Sequence, residues 1–362
     1  MSADASSIPM ERDARPRILV IRRDNIGDLV CTTPLIAALR ERYHGAHIAA
    51  LVNTYNEAVL TGNPAVDAVY AYEKGKHRGE KRSIVSVYAN RLRLIVSLRK
   101  EKFDYAILAT SGFAPRSLRL ARMIGARHVL GYADPGKAHS RPDIALPYDA
   151  SALAHEVEQV FGLLKALGIN GPPPPARVFP DAGERREVEQ ALARVALGTP
   201  VIGVHISARK KSQQWSAENF AALIRAIAKR HAVRFLLLWA PGEPDNPMHS
   251  GDDEKARAVA ESCGEFPLLS CPTEELSRLI AALSVCDCVV CADGGAMHLA
   301  AALGKPILCF FGDSSPKRWG PWKAPHELLQ PVSLDLKDLS VEQATAGFER
   351  LIRAHLVAPA FR

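Results

Sequence analysis

Short apolar runs alternate with stretches of helical periodicity along almost the whole chain. Arg17–Arg23 (RILVIRR) is the first run and reads as a buried strand. Asp24–Gly27 reads as a loop. Asp28–Tyr43 then carries Leu29, Leu35, Ile36 and Leu39 at helical spacing, with Pro34 either kinking this helix or sitting in its first turn behind Thr33. Ala46–Val52, Val66–Ala71, Phe103–Ala109 and His128–Tyr132 read as further strands, and Gly125 closes a helix before the last of them. His155–Leu167 reads as a helix ended by Gly168.

Gly171-Pro172-Pro173-Pro174-Pro175 interrupts this pattern. Consecutive prolines form a stiff extended segment, which places a domain boundary there or slightly later. The alternation then restarts. Val201–His205, Phe235–Ala240, Leu268–Ser270, Val285–Ala292 and Pro306–Phe311 read as strands. Ala217–Arg230, Asp253–Cys263, Thr273–Leu283, Ala296–Leu303 and a final amphipathic Val341–His355 read as helices. Strand–helix alternation in both halves predicts an α/β fold of two doubly wound parallel-sheet domains, 17–175 and 176–335. A polar tail, 1–16, precedes them, and residues 336–362 hold the last helix.

Composition narrows the class. The 362 residues are 48% hydrophobic, enough for two packed cores. The net charge of +7 is mild for this size and favours a phosphorylated or membrane-surface partner. Five of the seven cysteines fall between Cys263 and Cys291, mostly in apolar surroundings. That pattern is no disulfide framework and suits a reducing cytosol. Cys286, Cys288 and Cys291 form C-x-C-x-x-C, but no His/Cys pair completes a zinc pattern, so the segment reads as a buried strand and no metal is expected. The tail lacks a signal-peptide core, and no apolar run is long enough to span a bilayer. The expectation is a cytoplasmic protein, at most attached to the inner membrane surface.

Five segments carry candidate chemistry. Residues 293–322 place two small-residue loops, Asp293-Gly294-Gly295 and Gly312-Asp313-Ser314-Ser315-Pro316, at strand ends one crossover apart. In an open α/β sheet that edge binds ligands, and the helix after Gly294-Gly295 offers free amides to a phosphate. The plainer alternative is a cap and a tight turn. Ala296, Met297 and His298 open that helix; Asp293 can hold sugar hydroxyls, while His298 also suits a structural core role. Asp28, behind Gly27, either caps a helix or acts as a general base in an interdomain cleft. Ser207–Trp215 (SARKKSQQW) sets Arg209, Lys210 and Lys211 at a strand end, where they neutralise a diphosphate or form a solvated basic loop. Glu243, after Pro241-Gly242, can accept from a ribose or sugar, or merely follow a turn. Lys74–Lys102 holds ten Lys or Arg against two acids, with Lys74, Lys76, Arg78, Lys81 and Arg82 candidates for an anionic glycolipid. Aromatic residues are not interleaved there, so nucleic acid is not expected. The G-x-G-x-x-G and G-x-S-x-G motifs are absent from these loops.

These segments together resemble glycosyltransferase family 9, the lipopolysaccharide heptosyltransferase family, over about residues 17–325. The resemblance rests on RILVIRRDNIGDLVCTTPLIAALR at 17–40, Asn63-Pro64 followed by Asp67, GARHVLGY at 125–132, WSAENFAALI at 215–224 and CADGGAMHLAAALGKPILCFFGDSSPKRWGPW at 291–322. It implies a GT-B fold, two Rossmann-like domains facing across a cleft, with the C-terminal helix packing back on the first domain. It also implies inverting, metal-independent transfer without a cofactor. The donor would be ADP-L-glycero-D-manno-heptose and the acceptor the Kdo- or heptose-bearing inner core of lipopolysaccharide. The family's proposed base matches Asp28, and its donor loop matches Asp293–His298.

Two positions depart from the family pattern. Gln213 stands where members usually carry a Lys that contacts donor phosphate, with Arg209, Lys210 or Lys211 as possible substitutes. Asp293-Gly294-Gly295-Ala296 stands where many have Asp-Thr-Gly-Pro. Both put the donor in question more than the fold. The rival readings are a family 9 transferase with another sugar or acceptor, including protein, a nucleotide-sugar epimerase, and a non-catalytic nucleotide-binding protein.

Overall fold

The computed structural model describes residues 15–72, 84–134, 136, 141–148, 154–195, 198–242 and 251–355, without the side chains of 84–88. Lys74, Lys76, Arg78, Lys81, Arg82 and Glu243 lie outside the described residues, as do 1–14 and 356–362. The chain divides between Arg177 and Val178, just past the four prolines.

The first unit is a six-stranded parallel sheet. Its strands are β1 (Arg17–Ile21), β2 (His47–Asn53), β3 (Ala68–Tyr72), β4 (Tyr105–Leu108), β5 (His128–Ala133) and β6 (Ile144–Pro147), in the order β3-β2-β1-β4-β5-β6. β1 is flanked by β2 and β4, with Val20 in register with Ala50 on one side and Ile107 on the other. Strands buried on both faces need near-continuous apolar sequence, which RILVI and YAIL supply. The helices are α1 (Ile26–Val30), α2 (Thr33–Arg42), α3 (Ile84–Lys100), α4 (Pro115–Ile124) and α5 (Glu156–Phe161). Leu19, Ile21, Leu108, Leu118 and Ile124 lie in its core.

One predicted helix is two. Asp28–Tyr43 breaks at Cys31-Thr32, because Pro34 has no N–H to continue the ladder and sits in the first turn of α2. Two hydroxyls take the carbonyls this frees: Thr32 Oγ1 donates to Asp28 O at 2.9 Å and Thr33 Oγ1 to Val30 O at 2.8 Å. The break leaves α1 a single turn carrying Asp28. The predicted helix His155–Leu167 likewise passes into a 3₁₀ turn over Gly162–Leu167, closed by Gly168 in the left-handed region.

The second unit repeats the plan. Its strands are β7 (Val201–His205), β8 (Arg234–Trp239), β9 (Leu268–Pro272), β10 (Cys288–Ala292), β11 (Ile307–Phe310) and β12 (His326–Leu329), all parallel, in the order β12-β11-β10-β7-β8-β9. The helices are α6 (Ala182–Val195), α7 (Ala217–Ala228), α8 (Asp253–Ser262), α9 (Leu276–Ser284), α10 (Gly295–Ala302), α11 (Pro316–Trp319) and α12 (Val341–His355). Trp215 anchors the core, edge-on to Phe220 and Phe310 at 5.0 and 5.1 Å, its indole N–H donating to Leu339 O at 2.9 Å.

The terminal helix α12 lies against β11, β12 and α7 of the second unit. Phe348, Leu351 and Ile352 are part of that unit's core. The apolar face of α12 covers the sheet beside its edge strand β12, which would otherwise stand in water. Cys286, Cys288 and Cys291 are buried around β10, and burial pushes the Cys286 thiol up to about 12.

Candidate active site

Both sheets reverse strand order beside their first strand, between β1 and β4 and between β7 and β10. Loops leaving the carboxyl ends of such strands diverge and open a crevice. Arg22 follows β1, Ile206 follows β7 and Asp293 follows β10, so the candidate residues sit at these two switch points.

In the first unit the centre is a buried guanidinium. Arg22 Nη2 donates to Asp28 Oδ1 at 2.6 Å and to Glu156 Oε1 at 2.9 Å, and Nη1 donates to the Ala109 carbonyl at the end of β4. Asp24 approaches Arg22 Nε at 3.1 Å. Arg22 is 3%, Asp28 8% and Glu156 0% exposed, so three charged side chains share one pocket almost out of water. Such a group is tolerable only when every charge is paired. Burial alone would lower the Arg22 pKa, but the carboxylates of Asp28, Glu156 and Asp24 outweigh it and leave the pKa raised.

Asp28 both caps and pairs. As third residue of α1 its Oδ2 accepts from Asn25 N and Asn25 Nδ2, each at 2.9 Å. Burial pushes its carboxyl up, yet the Arg22 guanidinium and the Asn25 hydrogen bonds pull harder and leave it below the ordinary aspartate value. The group is therefore ionised at neutral pH. A carboxylate offers about four acceptor positions, and three are in use. The loop before it is pinned from β2's end: Asn53 Nδ2 donates to the Asp24 carbonyl at 2.9 Å, and the Tyr55 hydroxyl donates to the same oxygen. Gly27 is buried within α1.

In the second unit three strand ends meet. Cys291 of β10 is in register with His205 of β7 and Cys309 of β11, so the loops after all three strands emerge side by side. Gln213, in the 3₁₀ turn Lys211–Gln213, is buried, and its Nε2 donates to Asp293 Oδ2 and to Ser314 Oγ, each at 2.7 Å. Lys210 Nζ lies 3.1 Å from Asp313 Oδ1 and donates to Ser314 Oγ at 3.3 Å. Ser212 Oγ donates to the same Asp313 oxygen at 2.9 Å. Those hydrogen bonds and the Lys210 charge hold the exposed Asp313 carboxyl below its usual range. Gly312 makes the approach possible: a Cβ there would stand 2.7 Å from the Ser212 carbonyl carbon and closer to its oxygen.

The remaining expected residues divide clearly. Arg209 and Lys211 are exposed beside this cluster. Ser207 Oγ accepts from Ala240 N at 2.9 Å, joining the β7 and β8 loops. Gly294 is exposed and Gly295 half-buried at the start of α10, whose first-turn amides have no partner within the helix. Ala296 and Met297 bury their side chains, so they can meet a ligand only through backbone N–H. His298 is buried edge-on to Trp319, 6.0 Å between ring centres.

Sequence reasoning missed Arg22 and Glu156. The available signal was two adjacent arginines closing the β1 run, one of which the fold buries. Glu156 reads locally as a helix-start acid, and its partner lies 134 residues away. Among the described residues no group of three His, Cys, Asp or Glu is arranged to hold a metal ion, and no helix is long and apolar enough to cross a membrane.

Comparison with known proteins agrees with this architecture. The sequence model of glycosyltransferase family 9 (heptosyltransferase) matches residues 91–342, which include the Gln213–Asp293 edge but not the Asp28 loop. Lipopolysaccharide heptosyltransferase 3 of Escherichia coli is 24% identical over 302 residues, 82% of this chain and 83% of the relative. The glycosyl transferase family 9 structure from Veillonella parvula superposes with a TM-score of 0.77 at 21% identity, covering 96% of this chain and 99% of the other. E. coli ADP-heptose lps heptosyltransferase II superposes with a TM-score of 0.73 at 19% identity, covering 94% and 100%. Two Rossmann-like parallel sheets, GT-B neighbours and a family match over most of the chain lead to one assignment: the chain belongs to glycosyltransferase family 9 and is a glycosyltransferase.

Proposed function

We propose that this enzyme transfers heptose, with inversion, from ADP-L-glycero-D-manno-heptose to the inner core of lipopolysaccharide on the cytoplasmic side of the inner membrane. The observation that carries the reading is the Gln213–Asp293–Ser314 edge inside a family 9 match, with ADP-heptose in the name of a structural neighbour. The acceptor oxygen forms a bond to the anomeric carbon as the bond from that carbon to the diphosphate oxygen breaks. The acceptor proton passes to Asp28, and ADP leaves with the bonding pair. Asp28 suits this work because it is ionised, held in one orientation by Arg22 and Asn25, and has an acceptor position left. Lys210 and the first-turn amides of α10 offset charge growing on the leaving diphosphate, and Asp293 receives sugar hydroxyls. Arg209 and Lys211 add to the positive field at that edge, and the chemistry needs no metal. Gly27 and the basic residues Lys74, Lys76, Arg78, Lys81 and Arg82 serve the acceptor, and Glu243 the donor.

The test is nucleotide release over a panel of nucleotide sugars with a truncated lipopolysaccharide acceptor. ADP-heptose is expected to give acceptor-dependent ADP. Release with a different donor only would replace the heptose assignment, and donor turnover without acceptor would indicate an epimerase or hydrolase. Asp28→Asn can keep the cap through its amide oxygen but turns its NH2 toward Arg22 and lacks the base, so kcat should fall about 10²–10⁴-fold, with thermal melting checking that the variant is folded. Near-normal turnover in that variant would remove Asp28 from the role.

A further inference from the structure

We infer that the outer face of α3 and α4 is a docking surface for an anionic phospholipid bilayer. The two helices make consecutive crossovers, β3 to β4 and β4 to β5, and pack side by side. Their inner faces bury Leu98, Leu118, Ala121 and Ile124 in the first unit's core. The outer faces are unusual in two respects.

The first is charge. Neither helix contains an Asp or Glu. Arg93, Arg99, Lys100, Arg116, Arg119 and Arg122 are all exposed. The acids just beyond α3 are already matched, Glu101 by Arg17 and Asp104 by Arg127. The second is exposed apolar surface. Leu92 is 63%, Val96 44% and Met123 51% exposed, which makes three of the five large hydrophobic side chains left exposed among the described residues. Leu92 and Val96 are four apart, on one stripe of α3.

Cations alone would suit any polyanion. Aliphatic side chains set among the cations favour a bilayer, whose headgroups take the charge while the acyl boundary takes the side chains. A nucleic acid would instead reward exposed aromatic rings for stacking. The inference accords with a lipid-anchored acceptor but does not rest on that reading, because its readout is binding.

The test is flotation of the full-length protein with vesicles of phosphatidylcholine alone or mixed with phosphatidylglycerol. Binding is expected only to the mixed vesicles and should weaken with added salt. Each cation near the surface contributes about fivefold, so Arg93→Ala/Arg116→Ala/Arg119→Ala should bind about a hundredfold more weakly. Leu92→Ser/Val96→Ser/Met123→Ser should bind at least about tenfold more weakly while keeping its salt dependence. All six positions are exposed, so unchanged melting of both variants checks the fold. Equal partitioning onto neutral and anionic vesicles, wild-type binding by the triple arginine variant, or tighter binding to an RNA duplex at the same salt would each overturn the inference.

Discussion

Arg22→Met removes the cation from the first-unit switch point and leaves most of its volume. The native guanidinium donates to Asp28, Glu156 and the Ala109 carbonyl, and both carboxylates are buried. Breaking a buried ion pair by deleting one partner costs about 3–5 kcal/mol, because the charge left behind is unsolvated. Here one deletion strands two carboxylates, so the upper half of that range is expected at about pH 7. The sign of the pH dependence gives the sharper test. In the native protein the Asp28 carboxyl is depressed, so its stabilising contribution is present above the unfolded value and lost as pH falls through the folded value. Without Arg22, only the Asn25 hydrogen bonds oppose burial, and the carboxyl rises. The variant's penalty is then largest at neutral pH and shrinks on acidification, by up to about 1.4 kcal/mol per pH unit for each group that takes up a proton. All four tryptophans, Trp215, Trp239, Trp319 and Trp322, lie in the second unit, so indole emission does not follow this event. Native-state hydrogen exchange of peptides from β1 and α5, at about pH 7 and about pH 5, does follow it. A loss below about 1 kcal/mol at neutral pH, or one that fails to shrink at the lower pH, refutes the reasoning.

The other predictions concern the second unit. Gln213→Ala leaves the Asp293 carboxylate and Ser314 hydroxyl without their shared donor; the donor KM should rise about tenfold with a smaller change in kcat, and an unchanged KM would remove Gln213 from the site. Gly312→Ala drives a Cβ into the Ser212 backbone, which cannot swing aside like a side chain; a loss of about 1–3 kcal/mol by urea titration with tryptophan emission is expected, and wild-type stability would contradict the contact. His205 is buried beside Lys255, and burial first, then that charge, lowers its pKa from 6.5 to about 4. The stability this depression supports is present above 6.5 and is lost as pH falls toward about 4, roughly 3 kcal/mol in all. His205→Gln should flatten that slope, and an equally steep slope in the variant would assign it to other groups.

What the sequence made legible was whatever local pattern decides. β7 and α12 have the predicted bounds because VIGVH is a short apolar run and 341–355 a clear amphipathic stripe. The Asp293 and Gly312 loops sit at strand ends as expected, since small residues after buried strands mark the carboxyl edge. Elements without a strong stripe escaped: α6 buries only Val188 and Leu192, and β6 and β12 are four-residue edge strands of half-buried residues. The site's internal wiring escaped for a different reason. Gln213 meets Asp293 and Ser314 across 80 and 101 residues, and Arg22 meets Glu156 across 134, so no window of sequence holds both partners.

The two switch points hold their carboxylates by opposite means, and the difference bears on what each can do. Asp28 is held by a buried cation that cannot leave without stranding charge, so its orientation is set by folding itself. Asp293 is held by the neutral amide of Gln213, which satisfies one oxygen without cancelling the charge. A lysine at position 213 would pair with Asp293 and with any incoming phosphate in competition. With glutamine there, Lys210 is an exposed cation of the same loop, paired with the exposed Asp313 and the half-buried Ser314. Breaking an exposed pair of this kind costs about 0–1 kcal/mol, so Lys210 can turn to an arriving anion at little expense. On the proposed reading, glutamine at 213 moves the cation a few residues along the same turn and separates sugar recognition at Asp293 from charge neutralisation at Lys210.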